Sequence, residues 1–130
     1  GYALAAHGVP RATGDLDAWI WVGDDNPERV LTALTDFGFG DVGLSASDFD
    51  RHDSVVQLGY PPLRIDVITS IDGVEFVDAW PQRVLLDVDG MQVPFIGLDD
   101  LIANKLASGR TKDLADAEVL VEYQRRHRGE

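Results

Sequence analysis

The sequence has 130 residues, of which 45% are hydrophobic and 26% charged, as in an ordinary globular domain. It contains no cysteine, which excludes disulfides, thiolate metal sites and cysteine catalysis. The formal net charge of −12 argues against non-specific adhesion to nucleic acid, because such binding neutralises phosphates with cations. No apolar run approaches the roughly 18 residues that span a bilayer, and no signal segment opens the chain. We therefore expect a single cytoplasmic domain over residues 1–130, with no membrane partner.

The first half of the sequence predicts helices and strands in alternation. In chain order these are a helix over residues 2–8, a strand over 15–22, a helix over 28–37, and a hairpin of strands 54–59 and 63–68. Asn26 and Pro27 supply an N-cap and a first-turn proline for the second of these helices. Because the chain opens in mid-pattern at Gly1, we expect that a strand preceding the first helix has been truncated.

The second half predicts a short helix, a hairpin and two longer helices. In chain order these are a helix over residues 74–80, strands over 82–88 and 91–96, and helices over 98–107 and 112–126. Asp89 and Gly90 are the strongest short hairpin signal in the chain, and Thr111 caps the last helix. The predicted fold class is therefore α+β, with a mixed and mostly antiparallel sheet flanked by helices.

Three acidic residues in two of the predicted strands form a candidate metal site. Asp15 and Asp17 are two apart in one strand, so we expect their side chains on one face of the sheet. Adjacent carboxylates repel each other unless a cation or a shared proton relieves the repulsion. Asp66 from an adjacent strand would complete an oxygen cage suited to Mg²⁺. The alternatives are a turn acid and a solvent-facing acid for Asp15 and Asp17, and a structural carboxylate paired with Arg64 for Asp66.

Basic residues gather near the start of the last predicted helix. Lys105 lies on the polar side of the preceding helix, and Arg110 and Lys112 lie at the beginning of the last one. Cations at this position would meet the phosphates of a nucleotide, and the helix dipole would add to the attraction. The alternative is structural, because Asp113 and Asp116 suit the first turn of a helix and would pair with Lys105 and Arg110.

The acid–apolar–acid motif and its surroundings resemble a known signature. Gly1, thirteen further residues, Asp15-Leu16-Asp17 and the later Asp66 are similar to the pattern of the DNA polymerase β-like nucleotidyltransferase superfamily. That pattern is a Gly-Gly or Gly-Ser pair, a short helix, an acid–apolar–acid strand and a third acid on a neighbouring strand. Only the second position of the pair is present here, as Gly1.

Within that superfamily the chain is most similar to small bacterial minimal nucleotidyltransferases, including those of toxin–antitoxin and abortive-infection systems. The segments that carry this likeness are residues 1–8 (GYALAAHG), 10–17 (PRATGDLD), 64–69 (RIDVIT), and the Asn-Lys of 104–105 with 109–116 (GRTKDLAD). Together they cover nearly the whole chain. The resemblance thus implies a nucleotidyltransferase-like form of the α+β fold.

The resemblance also implies an activity, namely Mg²⁺-dependent transfer of a nucleoside monophosphate from a nucleoside triphosphate to an acceptor hydroxyl. Asp15 and Asp17 would bridge two metal ions, with Mn²⁺ as an alternative to Mg²⁺. Asp66 would hold the catalytic ion and help deprotonate the attacking hydroxyl. The implied nucleotide-binding residues are Gly1, Thr13, Lys105, Arg110 and Lys112.

The sequence leaves the acceptor and the partner open. The acceptor would be a protein side chain, a tRNA end or a small molecule, and nothing in the sequence chooses among them. The alternative function is a catalytically inactive binding module for a cognate partner, such as one half of a toxin–antitoxin pair. A truncated first strand would also leave an unpaired sheet edge, which favours a homodimer.

Overall fold

The computed structural model of the chain describes residues 15–40, 42–60 and 63–127. The predicted α+β class is confirmed, and the described strands lie in two sheets. The backbone divides into two compact units, which within the described range are residues 15–71 and 72–127, and each unit is described by itself. The predicted helix over residues 2–8 and the predicted truncation before it lie outside the described residues.

The first unit contains a three-stranded mixed sheet and a helix. Its elements are strand β1 (Asp15–Trp19), helix α1 (Asn26–Leu34), strand β2 (Val55–Tyr60) and strand β3 (Leu63–Ile68). Strand β3 is central, with β1 parallel on one side and β2 antiparallel on the other. The predicted β2–β3 hairpin is therefore confirmed. Because β1 and β3 are parallel, their connection has to cross over, and α1 lies within it.

One face of this sheet forms the core of the first unit. Phe49, at the end of a short 3₁₀ turn, is fully buried, and Leu58 and Val67 from neighbouring strands pack with it. Three residues of α1 at helical spacing pack against this cluster, namely Val30, Leu31 and Leu34. Because successive side chains of a strand point to opposite faces, Gln57 and Asp66 project from the face away from this core.

Helix α1 differs from its prediction at both ends. The N-cap is Asp25 rather than Asn26, so that prediction is wrong by one residue. Asn26 is the first helical residue, and its side-chain amide donates a 2.7 Å hydrogen bond to the carbonyl of Trp21. The helix passes directly into a π-type turn, Thr35–Phe39, in which Gly38 adopts a φ of 115°. A positive φ is open to glycine at little cost, which explains why regular helix stops before this residue.

The second unit contains a two-stranded hairpin and helices. Its elements are helix α2 (Phe76–Ala79), strands β4 (Val84–Val88) and β5 (Met91–Phe95), and helices α3 (Leu98–Ser108) and α4 (Thr111–His127). The turn between β4 and β5 is formed by Asp89 and Gly90, with φ values of 52° and 85°. Two successive positive φ values match the twist of antiparallel strands, so the predicted Asp-Gly hairpin is confirmed.

Helices α3 and α4 form the core of the second unit. Leu101 and Ile102 of α3 pack against the fully buried Leu120 of α4. Helix α3 ends at Ser108, and the following Gly109 adopts a left-handed φ of 69°, the usual conformation after a helix C-terminus. None of the described helices is both long enough and apolar enough to cross a bilayer.

Two glycines of the second unit allow a backbone prediction with an internal control. A Cβ added at Gly73 (φ 78°) would lie 2.5 Å from the Cβ of Ala107 and 3.2 Å from the carbonyl oxygen of Ala103, whereas one added at Gly90 would meet nothing within 4 Å. We expect Gly90→Ala to lower the free energy of unfolding by about 1 kcal/mol, because only the left-handed backbone is strained. Gly73→Ala should cost about 3 kcal/mol, because the clash with α3 adds to that strain.

Chemical denaturation of both variants measures the difference. Equal losses at the two positions would show that the approach of Gly73 to α3 contributes nothing to stability.

Candidate active site

The face of the first sheet away from its core places three polar residues in one row. Asp17 of β1 is the register partner of Asp66 of β3, which in turn is the register partner of Gln57 of β2. Register partners project to the same face, and neighbouring strands lie about 4.8 Å apart. The prediction that Asp66 lies on a strand adjacent to the one that carries Asp17 is therefore confirmed. Two carboxylates thus start from neighbouring backbone positions.

The other predicted residues of this region are only partly described. Asp17 is exposed, so its carboxylate is accessible to a ligand. The backbone of Asp15 pairs with Arg64 at the start of β1, but the side chain of Asp15 lies outside the described residues. Gly1 and Thr13 also lie outside them. The roles predicted for Asp15, Gly1 and Thr13 stay predictions.

Asp66 is buried and forms an ion pair with Arg64. The residue is 8% exposed, and its Oδ1 lies 3.1 Å from the Arg64 Nε. Its Oδ2 accepts a 3.2 Å hydrogen bond from the Arg64 Nη2. Arg64 reaches Asp66 because the two residues are two apart in β3 and share a face. The structural alternative predicted for Asp66 is therefore present in the structure.

The ion pair with Arg64 compensates the burial of the Asp66 carboxylate. A carboxylate removed from water needs a cation or several hydrogen-bond donors, since an uncompensated buried charge costs several kcal/mol. The guanidinium group supplies both a positive charge and a hydrogen-bond donor, and a hydrogen bond from a charged donor is stronger than one between neutral groups. Arg64 therefore neutralises Asp66, with a hydrogen bond to Oδ2 and an ion-pair contact to Oδ1.

The chemistry of Asp17 and Asp66 fits a divalent ion. Carboxylate oxygens are the ligands that Mg²⁺ prefers in proteins, and two such groups project from adjacent positions of this sheet. Among the side chains that the structure describes, no group of three or more histidine and acidic residues is arranged to hold a metal. The third carboxylate of the prediction, Asp15, is not among those side chains.

In the second unit, two of the three predicted phosphate-binding cations, Lys105 and Arg110, lie in an ion-pair network with acidic residues of α4. The Lys105 Nζ is 3.2 Å from an oxygen of Asp113 and 3.3 Å from an oxygen of Asp116. The Arg110 Nε is 3.0 Å from the second oxygen of Asp113, to which the Ser108 hydroxyl donates a 2.6 Å hydrogen bond. The structural alternative for Lys105 and Arg110 is thus present. Their nucleotide-binding role stays a prediction.

The three predicted phosphate-binding cations differ in how far their side chains are exposed to solvent. The Lys105 side chain is only 16% exposed, whereas Arg110 and Lys112 are both exposed. Burial is the largest influence on the pKa of Asp113 and by itself would raise it. The hydrogen bonds from Ser108 and Lys105 and the charges of Lys105 and Arg110 outweigh that effect, so the pKa of Asp113 lies below its ordinary value of 3.8.

Two residues of these regions were not identified from the sequence. Gln57 completes the row with Asp17 and Asp66, and Ser108 donates to Asp113. The signal for Gln57 would have been a strand that continues to Tyr60, because a two-residue connection between Tyr60 and Leu63 pairs residue 57 with residue 66, whereas the predicted strand ends at residue 59. Ser108 offered no such signal, since its contact depends on how α3 meets α4.

Comparison of the sequence with protein-family models and with curated proteins adds no relative. No protein-family model matches the chain, and no curated protein matches it. The resemblance to nucleotidyltransferases therefore depends on the sequence motifs alone.

The pKa of Asp113 predicts an acid-sensitive contact between α3 and α4. Because folding lowers this pKa below 3.8, the stabilising effect is complete above pH 3.8 and is lost as the pH falls through the pKa of the folded state. We expect Asp113→Asn to lower the free energy of unfolding at pH 7 by about 2 kcal/mol. The variant should also lose less stability than the wild type between pH 4 and about pH 2.5.

Urea denaturation across that pH range measures both effects. Glu118→Gln, an isosteric change at an exposed position of α4, is the matched control. If the free energy of unfolding depends on pH in the same way in both variants, the Asp113 carboxylate does not stabilise the contact between α3 and α4.

Proposed function

We propose that this chain is a Mg²⁺-dependent nucleotidyltransferase whose metal-binding carboxylates are Asp15, Asp17 and Asp66. The observation that supports the proposal is the register pairing of Asp17 with Asp66 on the face of the sheet opposite the core. Two like charges at neighbouring positions destabilise the metal-free protein, and a divalent cation between them removes that cost. Such an arrangement is expected where metal binding is part of the function.

Nucleotidyl transfer suits this arrangement, because it depends on alignment and charge neutralisation more than on covalent catalysis. Bound Mg²⁺ ions would supply positive charge to the phosphates and to the leaving pyrophosphate. Asp15 and Asp17 would hold the ions from β1. Asp66 would hold an ion from β3 and accept the proton of the attacking hydroxyl, for which its carboxylate must be released from Arg64.

The proposal assigns phosphate contacts to cations and backbone groups. Lys112 is exposed in the first turn of α4 and Arg110 is exposed just before it. Lys105 and Arg110 would each exchange a carboxylate partner for a phosphate oxygen. Gly1 and Thr13 belong to the proposal through the resemblance alone. The donor is a nucleoside triphosphate. The acceptor hydroxyl belongs to a protein, a tRNA end or a small molecule.

A second candidate function is a catalytically inactive binding module for a cognate partner, such as one half of a toxin–antitoxin pair or a second copy of the chain. The ion pair between Arg64 and Asp66 favours it, because Arg64 neutralises the buried carboxylate without any metal ion. Such a module would keep its fold and its partner whether or not Asp17 is charged.

Ligand-induced stabilisation distinguishes the two functions. For the enzyme, we expect Mg²⁺ with a nucleoside triphosphate at about 100 times its Kd to stabilise the protein by about 2.7 kcal/mol, visible as a rise in Tm. Asp17→Asn should abolish this rise, because it removes the exposed carboxylate of the pair.

The matched control is Asp36→Asn, the same change at an exposed position beyond α1, and it should keep the full rise in Tm. A wild-type protein that gains no stability from any nucleoside triphosphate with Mg²⁺ or Mn²⁺ would contradict the enzymatic proposal.

Asp66→Asn tests the catalytic assignment directly. We expect the variant to fold, because the asparagine amide keeps one acceptor for Arg64, and to lose on the order of 100-fold or more in the rate of pyrophosphate release. Circular dichroism checks the fold, and pyrophosphate release is followed with each ribonucleoside triphosphate in the presence of the protein itself or a tRNA pool. Loss of folding instead would identify Asp66 as a structural carboxylate.

A further inference from the structure

We infer that Arg64 is a built-in counter-ion of the candidate active site, which a divalent cation displaces from Asp66 on binding. The inference rests on the proposed function and concerns its regulation. Both oxygens of Asp66 lie within 3.2 Å of guanidinium nitrogens of Arg64. A metal ion approaching Asp66 therefore meets a carboxylate whose Oδ2 already accepts a hydrogen bond from Arg64 and whose Oδ1 is in ion-pair contact with the Arg64 Nε.

The location of Arg64 makes displacement feasible. Its side chain is 31% exposed, whereas that of Asp66 is 12% exposed, so the cation and not the carboxylate has the freer path to solvent. A guanidinium group on a long, flexible stem can turn away from Asp66 towards water, because about a third of the Arg64 side chain is exposed there. Asp66 remains in place and exchanges one positive partner for another.

The formal charges of Asp17, Asp66 and Arg64 show why replacing Arg64 by a divalent ion would be favourable. Asp17 and Asp66 carry two negative charges, and Arg64 carries one positive charge, which leaves a balance of −1 for these three residues. A divalent ion between Asp17 and Asp66 neutralises both carboxylates. Arg64 engages both oxygens of Asp66, so it competes for the same lone pairs.

Competition of this kind has two linked consequences. In the metal-free protein Arg64 stabilises the fold, because Asp66 would otherwise be a buried charge without compensation. In the metal-bound protein Arg64 has to be released, so the apparent metal affinity is reduced by the free energy of the ion pair. Removing Arg64 should therefore weaken the metal-free fold and strengthen metal binding at the same time.

Titration with Mn²⁺, followed by the loss of the free-ion electron paramagnetic resonance signal, tests the inference without any enzymatic assay. We expect Arg64→Gln to bind Mn²⁺ roughly tenfold more tightly than the wild type, and Arg64→Lys roughly threefold, because one ammonium cannot engage both oxygens. The metal-free Arg64→Gln protein should melt at a lower temperature than the wild type.

Arg29→Gln is the matched control for overall charge. It removes the same charge from an exposed position of α1, the helix that covers the opposite face of the sheet. Its Mn²⁺ affinity should equal that of the wild type. An equal gain in Arg29→Gln and Arg64→Gln would overturn the inference, because the effect would then be one of net charge.

The remaining outcomes separate the inference from the proposed function. If the wild type binds Mn²⁺ and Arg64→Gln binds it equally or more weakly, Arg64 is no counter-ion and the proposed function stands. If neither protein binds Mn²⁺, both the inference and the proposed metal site fail. Should Arg64→Gln not fold by circular dichroism, Arg64→Lys decides, with tighter binding in support and equal or weaker binding against.

Discussion

The constraint on which the first unit depends is the burial of one carboxylate in a central strand. Asp66 lies between two hydrogen-bonded neighbours in β3, and at 8% exposure it has to be neutralised within the protein. The other face of the same sheet is filled by Phe49, Leu58 and Val67, so polar groups can gather only on the face that Asp66 shares with Asp17. Core packing and the candidate active site are thus two sides of one sheet.

A buried carboxylate also organises the second unit, but there the charges balance. Asp113 and Asp116 carry two negative charges, and Lys105 and Arg110 carry two positive ones, a net charge of zero. In the first unit, Arg64 pairs with Asp66, and Asp17 adds a second negative charge at the neighbouring register position. The deficit of positive charge therefore lies on the sheet face, which suits a cation, whereas phosphate binding by Lys105 requires an existing ion pair to open.

Local signals explain what the sequence could predict. The α+β class, the Asp89-Gly90 turn and the bounds of β3 follow from alternation and turn chemistry. The sequence cannot show which of several candidate side chains pairs with a given carboxylate, because that depends on distances that only the folded chain sets. Arg64 as the partner of Asp66 was one of two alternatives, and Gln57 and Ser108 became visible only through register and helix packing.

The cost of retaining Asp17 separates the two candidate functions in physical terms. A binding module gains nothing from a second carboxylate beside Asp66, because like charges at register positions destabilise the folded state. A metal-dependent enzyme accepts that cost, since residues that bind ligands are commonly less than optimal for stability. The ion pair with Arg64 reduces the cost of burying Asp66 in the metal-free fold. The same contact would therefore also set how much free energy a bound ion would have to supply.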